Sequence, residues 1–422
     1  MISGFEGPVV HRGDDGYERA RGGAMWNALT PGRYPELVAI AAVEADVRRA
    51  VLHAREHGLA IGVRSGGHSW AGNHVRDGGM LLDLSRLCEF EIDAAAMTAS
   101  VQPGCRGDEL IAALGEQDLF FPAGHCPGVA LGGYLLQGGY GWNGRLHGPA
   151  CMSVEAVELI DASGETLRAD EHENAEVFWA ARGSGPGFFG VVTRFHLRLQ
   201  PKPRITANGV VTYPVELLDD VFSWAHELGP HVPREMELML ILHRDEQGEA
   251  EIAVTGPVLM DDEREARAAL ELLQSCPVIA RAKLNVPYIE VGLEDLYAGV
   301  HASYPDEHRY GVDNMWTHAP IADLLPGLRR IAETLPPAPS HMLWMNWGPG
   351  ATAAPARSDM AYSIEDDTYI ALYAVWQDER DDTANVAWAT ERMREMEPHA
   401  SGIQLADENL GRRAARFMTT ST

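Results

Sequence analysis

No run of about 18 consecutive apolar residues occurs in the chain, so no membrane-spanning helix of ordinary length is expected. Basic residues are scarce: 34 lysines and arginines stand against 61 aspartates and glutamates, a net charge of −27. Such a surface repels phosphate backbones and anionic lipid, which argues against nucleic acid and membrane partners. Cysteine is sparse as well. Cys88, Cys105, Cys126, Cys151 and Cys276 are scattered, odd in number and free of any Cys-x-x-Cys pair. That pattern builds neither a disulfide framework nor a structural zinc site. The opening MISGFEGPVVHRGDDGYERA lacks a basic segment followed by an apolar one. With no leader of that kind, a cytoplasmic protein is the expectation.

What is present is globular: 45% of residues are hydrophobic and 23% charged. A chain of 422 residues exceeds what one core serves, so two or three domains are expected. In the first half, short β-rich runs alternate with helical patterns. PELVAIAAVEADVRRAVLHAREHGL (35–59) ends in a helix closed by Gly58, and AIGVRSGGH follows as strand and turn. GMLLDLSRL (79–87) and MTASVQPGC (97–105) read as strands, RGDELIAALGEQ (106–117) as a helix. The alternation predicts an α/β or α+β domain. The proline-bearing LQPKPRITANG (199–209) reads as a boundary. Beyond it, strands such as MELMLILHR and TYIALYAVWQD alternate with helices near 262–274 and 383–397, which predicts a second domain on an antiparallel sheet. The expected division is 1–204 and 205–399.

Three motifs fail on context. HAREH (53–57) matches the H-x-x-E-H zinc pattern on a helix, but no third ligand accompanies it, and His53 and His57 read as solvent-facing. RGSGPGFFGVVTRF (182–195) spaces its glycines like a dinucleotide fingerprint, yet a helix precedes and a strand follows, the reverse of the required order. RSGGHS lacks the Gly-Lys-Ser/Thr of a phosphate loop. What RSGGHS can do is present successive amides to a pyrophosphate, with Arg64, Ser65 and Ser69 beside it. Taken locally, His68 stays open as a metal ligand, a base, a packed ring or a point of covalent attachment.

A second stretch bears on that choice. In GHCPGVALGGYLLQGGYGWNGRLHG (124–148) nine of 25 residues are glycine, a density that backbone lying against something flat or bulky explains. RSGGHS, then GHCPGVALGGYLLQGGYG, then FWAARGSGPGFFGVVTRF together resemble the berberine bridge enzyme family, within the flavoproteins related to vanillyl-alcohol oxidase and p-cresol methylhydroxylase (PCMH). The likeness runs from about residue 8 to 200. It continues more weakly through YPDEHRYGVDNMW (304–316) and the segment 347–379.

The resemblance implies an α+β fold: a PCMH-type FAD-binding domain of two α/β subdomains, and a substrate domain with an antiparallel β-sheet backed by helices. The segment 400–422 would return to the first domain, although relatives usually continue past RRAARFMTTST (412–422) with a further helix and tail. FAD is the implied cofactor, bonded from His68 to the 8α-methyl carbon and from Cys126 to ring carbon 6. Imidazole nitrogen and thiolate suit such attachments because both are soft nucleophiles. Arg64, Ser65, Gly66, Gly67 and Ser69 would take the pyrophosphate. Gly128, Val129, Gly132, Gly133, Gly141, His147 and Gly148 would line the ring and ribityl chain, and Val192 the adenine end. Met152 and Ser153 stand where the family usually has an Asp-Asn pair.

The implied activity is oxidation of a bulky alcohol, sugar or secondary metabolite, with hydride passing to the flavin and a side-chain base taking the proton. Dioxygen is the expected acceptor, because Val129 occupies a position where oxygen-reactive relatives tend to carry valine. A dehydrogenase, an amine-oxidising ring-closing enzyme and a flavin-binding protein without catalysis are the alternatives. The tyrosine base of many relatives has no counterpart in GIQLADENL (402–410), where Ile403 and Gln404 stand instead. The remaining candidates are Tyr134, placed first for its position in the glycine loop, then Tyr140, Tyr373 and Tyr369, with Tyr310 and His318 as further options.

Overall fold

The computed structural model describes residues 2–347 and 359–419, so part of the 347–379 segment, residues 348–358, lies outside the described residues. The first half builds two sheets. One orders its strands Val9–His11, Leu37–Ile40, Met80–Asp83 and Ile61–Arg64, the last three parallel. The other is antiparallel: Phe90–Asp93, Thr98–Val101, Val191–Arg198, Val154–Ile160 and Thr166–Asp170. The helix Glu44–His57 packs on both, burying Val47, Ala50, Val51 and Ala54 at helical spacing. Gly58, at φ +66°, closes it in the left-handed conformation that glycine adopts without strain.

The second half is one large antiparallel sheet. Its strands run Val258–Met260, Ile205–Pro214, Ala250–Thr255, Met239–Arg244, His341–Asn346, Thr368–Trp376 and Arg309–Thr317, and Leu284–Glu290 also pairs with Ile205–Pro214. Strand alternation gives it two different faces. Leu240, Leu242, Met342, Trp344, Ile370 and Leu372 pack against Phe222, Leu324, Leu328 and Met393, from the helices Leu218–Leu228, Ile321–Thr334 and Asp382–Met396. Met239, Ile241, Leu343, Met345, Tyr369 and Tyr373 project from the opposite face. The arrangement is the α+β fold, a PCMH-type domain followed by a helix-backed antiparallel sheet. No helix among the described residues is long and apolar enough to cross a membrane.

Residues 400–419 lie along the edge strand of the large sheet. Gly402 bridges to Trp316, and Arg413 forms a buried ion pair with Asp313 at 2.6 Å. The same segment reaches the first half through Trp70 to Asp407 and Asn73 to Glu408, both at 2.6 Å. A polar plug joins the halves elsewhere. Arg145 donates to the carbonyls of Trp347, Pro233 and Met236, and buried Glu237 accepts from the Asn143 amide at 2.7 Å and contacts His125 Nε2 at 2.8 Å.

Candidate active site

The strand Ile61–Arg64 delivers the chain into a tight turn. Gly67 has φ +80°, and a side chain there would meet the Ala24 carbonyl at 2.4 Å, so only glycine satisfies both demands. The amides of residues 65–71 donate to no protein acceptor among the described residues. Arg64 Nη1 pairs with Asp83 at 2.9 Å, while its buried Nε has no partner among the described residues. Free amides beside a guanidinium form a cradle for an anion.

The glycine-rich stretch that follows Cys126 packs directly on this turn. A Cβ on Gly66 would come 2.8 Å from the Ala130 nitrogen, and one on Gly132 would come 2.3 Å from Ser65 Oγ. His68 Nε2 lies 3.6 Å from where a side chain on Gly128 would begin. Gly128 itself sits at φ +81° with its amide donating to Asp108 Oδ1 at 3.1 Å. His68 and Cys126 thus arrive on adjoining segments that wall one cavity of about 1070 Å³ between the two halves.

Both side chains are largely buried and line that cavity. The His68 ring stacks on Trp26, with centroids 5.2 Å apart and planes at 17°. Burial holds its pKa down to about 4, aided by Arg64 and Arg106, so the imidazole is neutral with a lone pair available. The Cys126 thiol is pushed up to about 12 by burial, with Asp407 adding to the effect. Three further features fit a flat, polar-edged dinucleotide. Gly133 faces the cavity and a Cβ there would meet nothing within 4 Å. Tyr140 and Gln404 line the cavity, and the Tyr140 hydroxyl and Gln404 Oε1 are buried without partners among the described residues. The donor set at the turns suits a pyrophosphate.

Among the positions carried over from the resemblance, Arg64, Ser65, Gly66, Gly67, His68, Ser69, Cys126, Gly128, Val129, Gly132, Gly133 and Val192 line the cavity. Gly141, His147 and Gly148, expected beside the ring and ribityl chain, are not among the residues that line it. A side chain at Gly141 would strike the Ala123 carbonyl at 2.0 Å. His147 is packed beside Phe120, with ring centroids 6.0 Å apart, and Gly148 turns at φ +78° against Met152. They hold the loop's shape.

Across the cavity stands the large sheet, and its polar centre is Asp407. One carboxylate oxygen accepts from Trp70 Nε1 at 2.6 Å; the other accepts from the Tyr373 hydroxyl at 2.8 Å and from the Tyr369 hydroxyl. Asn314 pins the turn that carries it, donating to the carbonyls of Gln404 and Asp407 at 3.0 and 2.8 Å and accepting the Gln404 amide at 2.8 Å. Burial, and after it the Asp407 charge, lifts both tyrosines well above the usual phenol range. Beside Tyr373, His341 Nδ1 donates to the Pro339 carbonyl at 3.0 Å, which leaves Nε2 to accept from the Tyr304 hydroxyl at 3.1 Å. Burial keeps His341 near 4, hence neutral.

Asp407, Asn314, Tyr304, His341, Trp26 and Trp70 were not legible as site residues. Asp407 is 337 positions from Trp70 and more than 30 from either tyrosine, so no spacing announces the cluster. The one available signal was an acidic residue inside the very segment that departs from the family pattern. Tyr134, placed first from sequence, lines the cavity but gives its hydroxyl proton to the Pro122 carbonyl at 2.6 Å. Tyr310 does the same to Pro305 at 2.5 Å. His318, with a side chain 71% exposed, pairs with Asp366 away from the cavity. His53 and His57 stack at 4.1 Å on their helix, and among the described residues no group of three metal-ligating side chains assembles.

Residues 35–170 match the family model described as an FAD binding domain. An FAD-linked oxidoreductase of Penicillium crustosum, penO, is 31% identical over 400 residues, covering 94% of this chain and 88% of the relative. Among solved structures, the berberine bridge enzyme-like 1 protein of Physcomitrella patens superposes with a TM-score of 0.86 at 19% identity, covering 100% of this chain and 93% of that one. The 6-hydroxy-D-nicotine oxidase of Arthrobacter nicotinovorans gives 0.83 at 22% identity, covering 97% and 90%.

Proposed function

The chain belongs to the FAD-linked oxidoreductases of the berberine bridge enzyme-like family, and from that premise we propose that it oxidises a bulky organic alcohol, with FAD bonded through His68 and Cys126 and dioxygen as electron acceptor. The observation that carries this reading is the convergence of Trp70, Tyr369 and Tyr373 on the single carboxylate of Asp407, facing the cavity that His68 and Cys126 line.

The chemistry that bound FAD supplies is acceptance of a hydride from the carbinol carbon and its return to dioxygen as hydrogen peroxide. The chain's task is the proton. With both oxygens occupied by donors, Asp407 acts purely as an acceptor. A phenol raised above its usual range does not ionise alone in neutral solution. Tyr373 therefore takes the substrate hydroxyl proton on Oη while passing its own to Asp407 Oδ2. Tyr369 and Trp70 keep that carboxylate aimed. The neutral imidazole of His68 and the thiol of Cys126 stand on adjoining segments, the requirement for two attachments to one ring system. Val129, in the cavity wall, supports dioxygen as acceptor.

The test is anaerobic bleaching of the bound flavin by an alcohol library, followed by a peroxide assay. In Tyr373→Phe and Asp407→Asn the bleaching rate should fall by about 10²- to 10⁴-fold, the usual worth of a positioned base, with flavin content unchanged. Bleaching at the wild-type rate in both variants would remove Tyr373 and Asp407 from the chemistry.

A further inference from the structure

Beyond the aromatic chamber around Tyr373, the cavity extends between the large sheet and the helix Leu293–Ser303. The floor of this arm is set by strand register. Met239 pairs with both Met345 and Thr255, and Ile241 with both Leu343 and Ala253, so these side chains form one continuous carpet. Val210, opposite Thr255, extends it. Among the described residues, no charged side chain stands on that floor. Thr255 Oγ1 donates to Asn208 Oδ1 at 2.8 Å, and the same oxygen accepts the Gly256 amide at 3.1 Å, which leaves the Asn208 side-chain nitrogen as an open donor on the floor.

The roof is equally spare. Leu296, Gly299 and Val300 line the arm from one face of the helix. Ile289 and Val291 line it from the preceding chain, and Ile289 is 47% exposed. Asp295 also borders the arm, but its carboxylate accepts the Gly292 amide at 2.8 Å and so caps the helix. His301, at the rim, lies 4.0 Å from Asp306. Gly299 is the informative position. Glycine within a helix is disfavoured against alanine, yet a Cβ here would meet nothing within 4 Å, so packing of the protein does not require it. Gly299 is exposed, and the missing side chain leaves the mouth of the arm open.

From these observations, and resting on the alcohol-oxidase reading above, we infer that the arm receives the hydrocarbon body of a polycyclic alcohol of terpenoid or steroid type, with the hydroxyl carried to Tyr373. An oligosaccharide would bring several hydroxyls onto a floor where the Asn208 side-chain nitrogen is the main group to answer them, and each buried unpaired group is unfavourable. An apolar ring system gives up only ordered water, which is the favourable transfer. The aromatic residues Trp70 and Tyr304 at the inner end offer apolar ring surface and do not alter the sign of this argument.

The test uses the flavin-loaded wild-type protein and three probes: dehydroepiandrosterone, benzyl alcohol and cellotetraose. Binding is read by tryptophan fluorescence and reaction by anaerobic flavin bleaching. The steroid should bind about 100-fold more tightly than cellotetraose, and Gly299→Leu should weaken the steroid about tenfold more than it weakens benzyl alcohol, in line with what a methylene or two is worth in an apolar pocket. Equal or tighter binding of cellotetraose, or an equal effect of Gly299→Leu on both alcohols, overturns the inference. Tight steroid binding with no bleaching by any alcohol would leave the inference standing and defeat the oxidase reading instead.

Discussion

A single carboxylate, Asp407, gathers Trp70, Tyr369 and Tyr373 at one end of the cavity, and single side chains hold the two halves around it. Glu237 is a sharp instance. It is fully buried, accepts the Asn143 amide and contacts His125, the residue beside Cys126. Removing it in Glu237→Ala strands both partners, at roughly 1–3 kcal/mol per buried unsatisfied group. The variant should unfold at lower urea concentration and lose flavin at Cys126, whereas Glu237→Gln, which keeps an acceptor oxygen, should lose far less. Equal stability of Glu237→Ala and wild type in a urea titration would show that the plug is ornamental.

At the scale of elements, strand alternation and glycine turns did most of the work and were readable beforehand. The alternation in Met239–Arg244 and Thr368–Trp376 separates a helix-facing row from a cavity-facing row. The glycines of 124–148 divide into two kinds that sequence alone does not distinguish. Gly132 is a packing glycine, since its Cβ would strike Ser65 and Pro103; Gly133 faces the cavity with nothing in reach. Gly132→Ala should therefore destabilise the fold, while Gly133→Ala should fold at least as well and incorporate less flavin. Purified yield, thermal melting and the flavin-to-protein absorbance ratio separate the two outcomes. The reverse pattern would contradict the division. Gly141 and Gly148 fall on the packing side for the same reason. Asp407 escaped sequence reading because it meets its donors only after three remote segments converge, and tertiary convergence leaves no local spacing.

For the molecule as a whole, acid is the natural stress. Burial depresses His74, His147 and His341 to about 4 in the folded protein, against about 6.5 when exposed. Their neutral forms favour folding fully above pH 6.5, and that contribution is lost progressively as pH falls towards 4, because the unfolded chain takes up protons first. Three such groups together steepen the loss to at most about 4 kcal/mol per pH unit, from 1.36 for each. The melting temperature should therefore drop sharply between pH 6.5 and 4.5; a flat profile there would mean these rings are solvated or already charged.

The account depends most on one flavin being fastened to two segments that lie 58 positions apart in sequence and adjoin in space. Intact mass spectrometry of the denatured protein tests it directly. The prediction is a chain heavier by the mass of one FAD, still so in His68→Ala and in Cys126→Ala taken singly, and reduced to the bare chain when both are replaced. A bare-chain mass for the wild type, with all yellow colour released on acid precipitation, would contradict it.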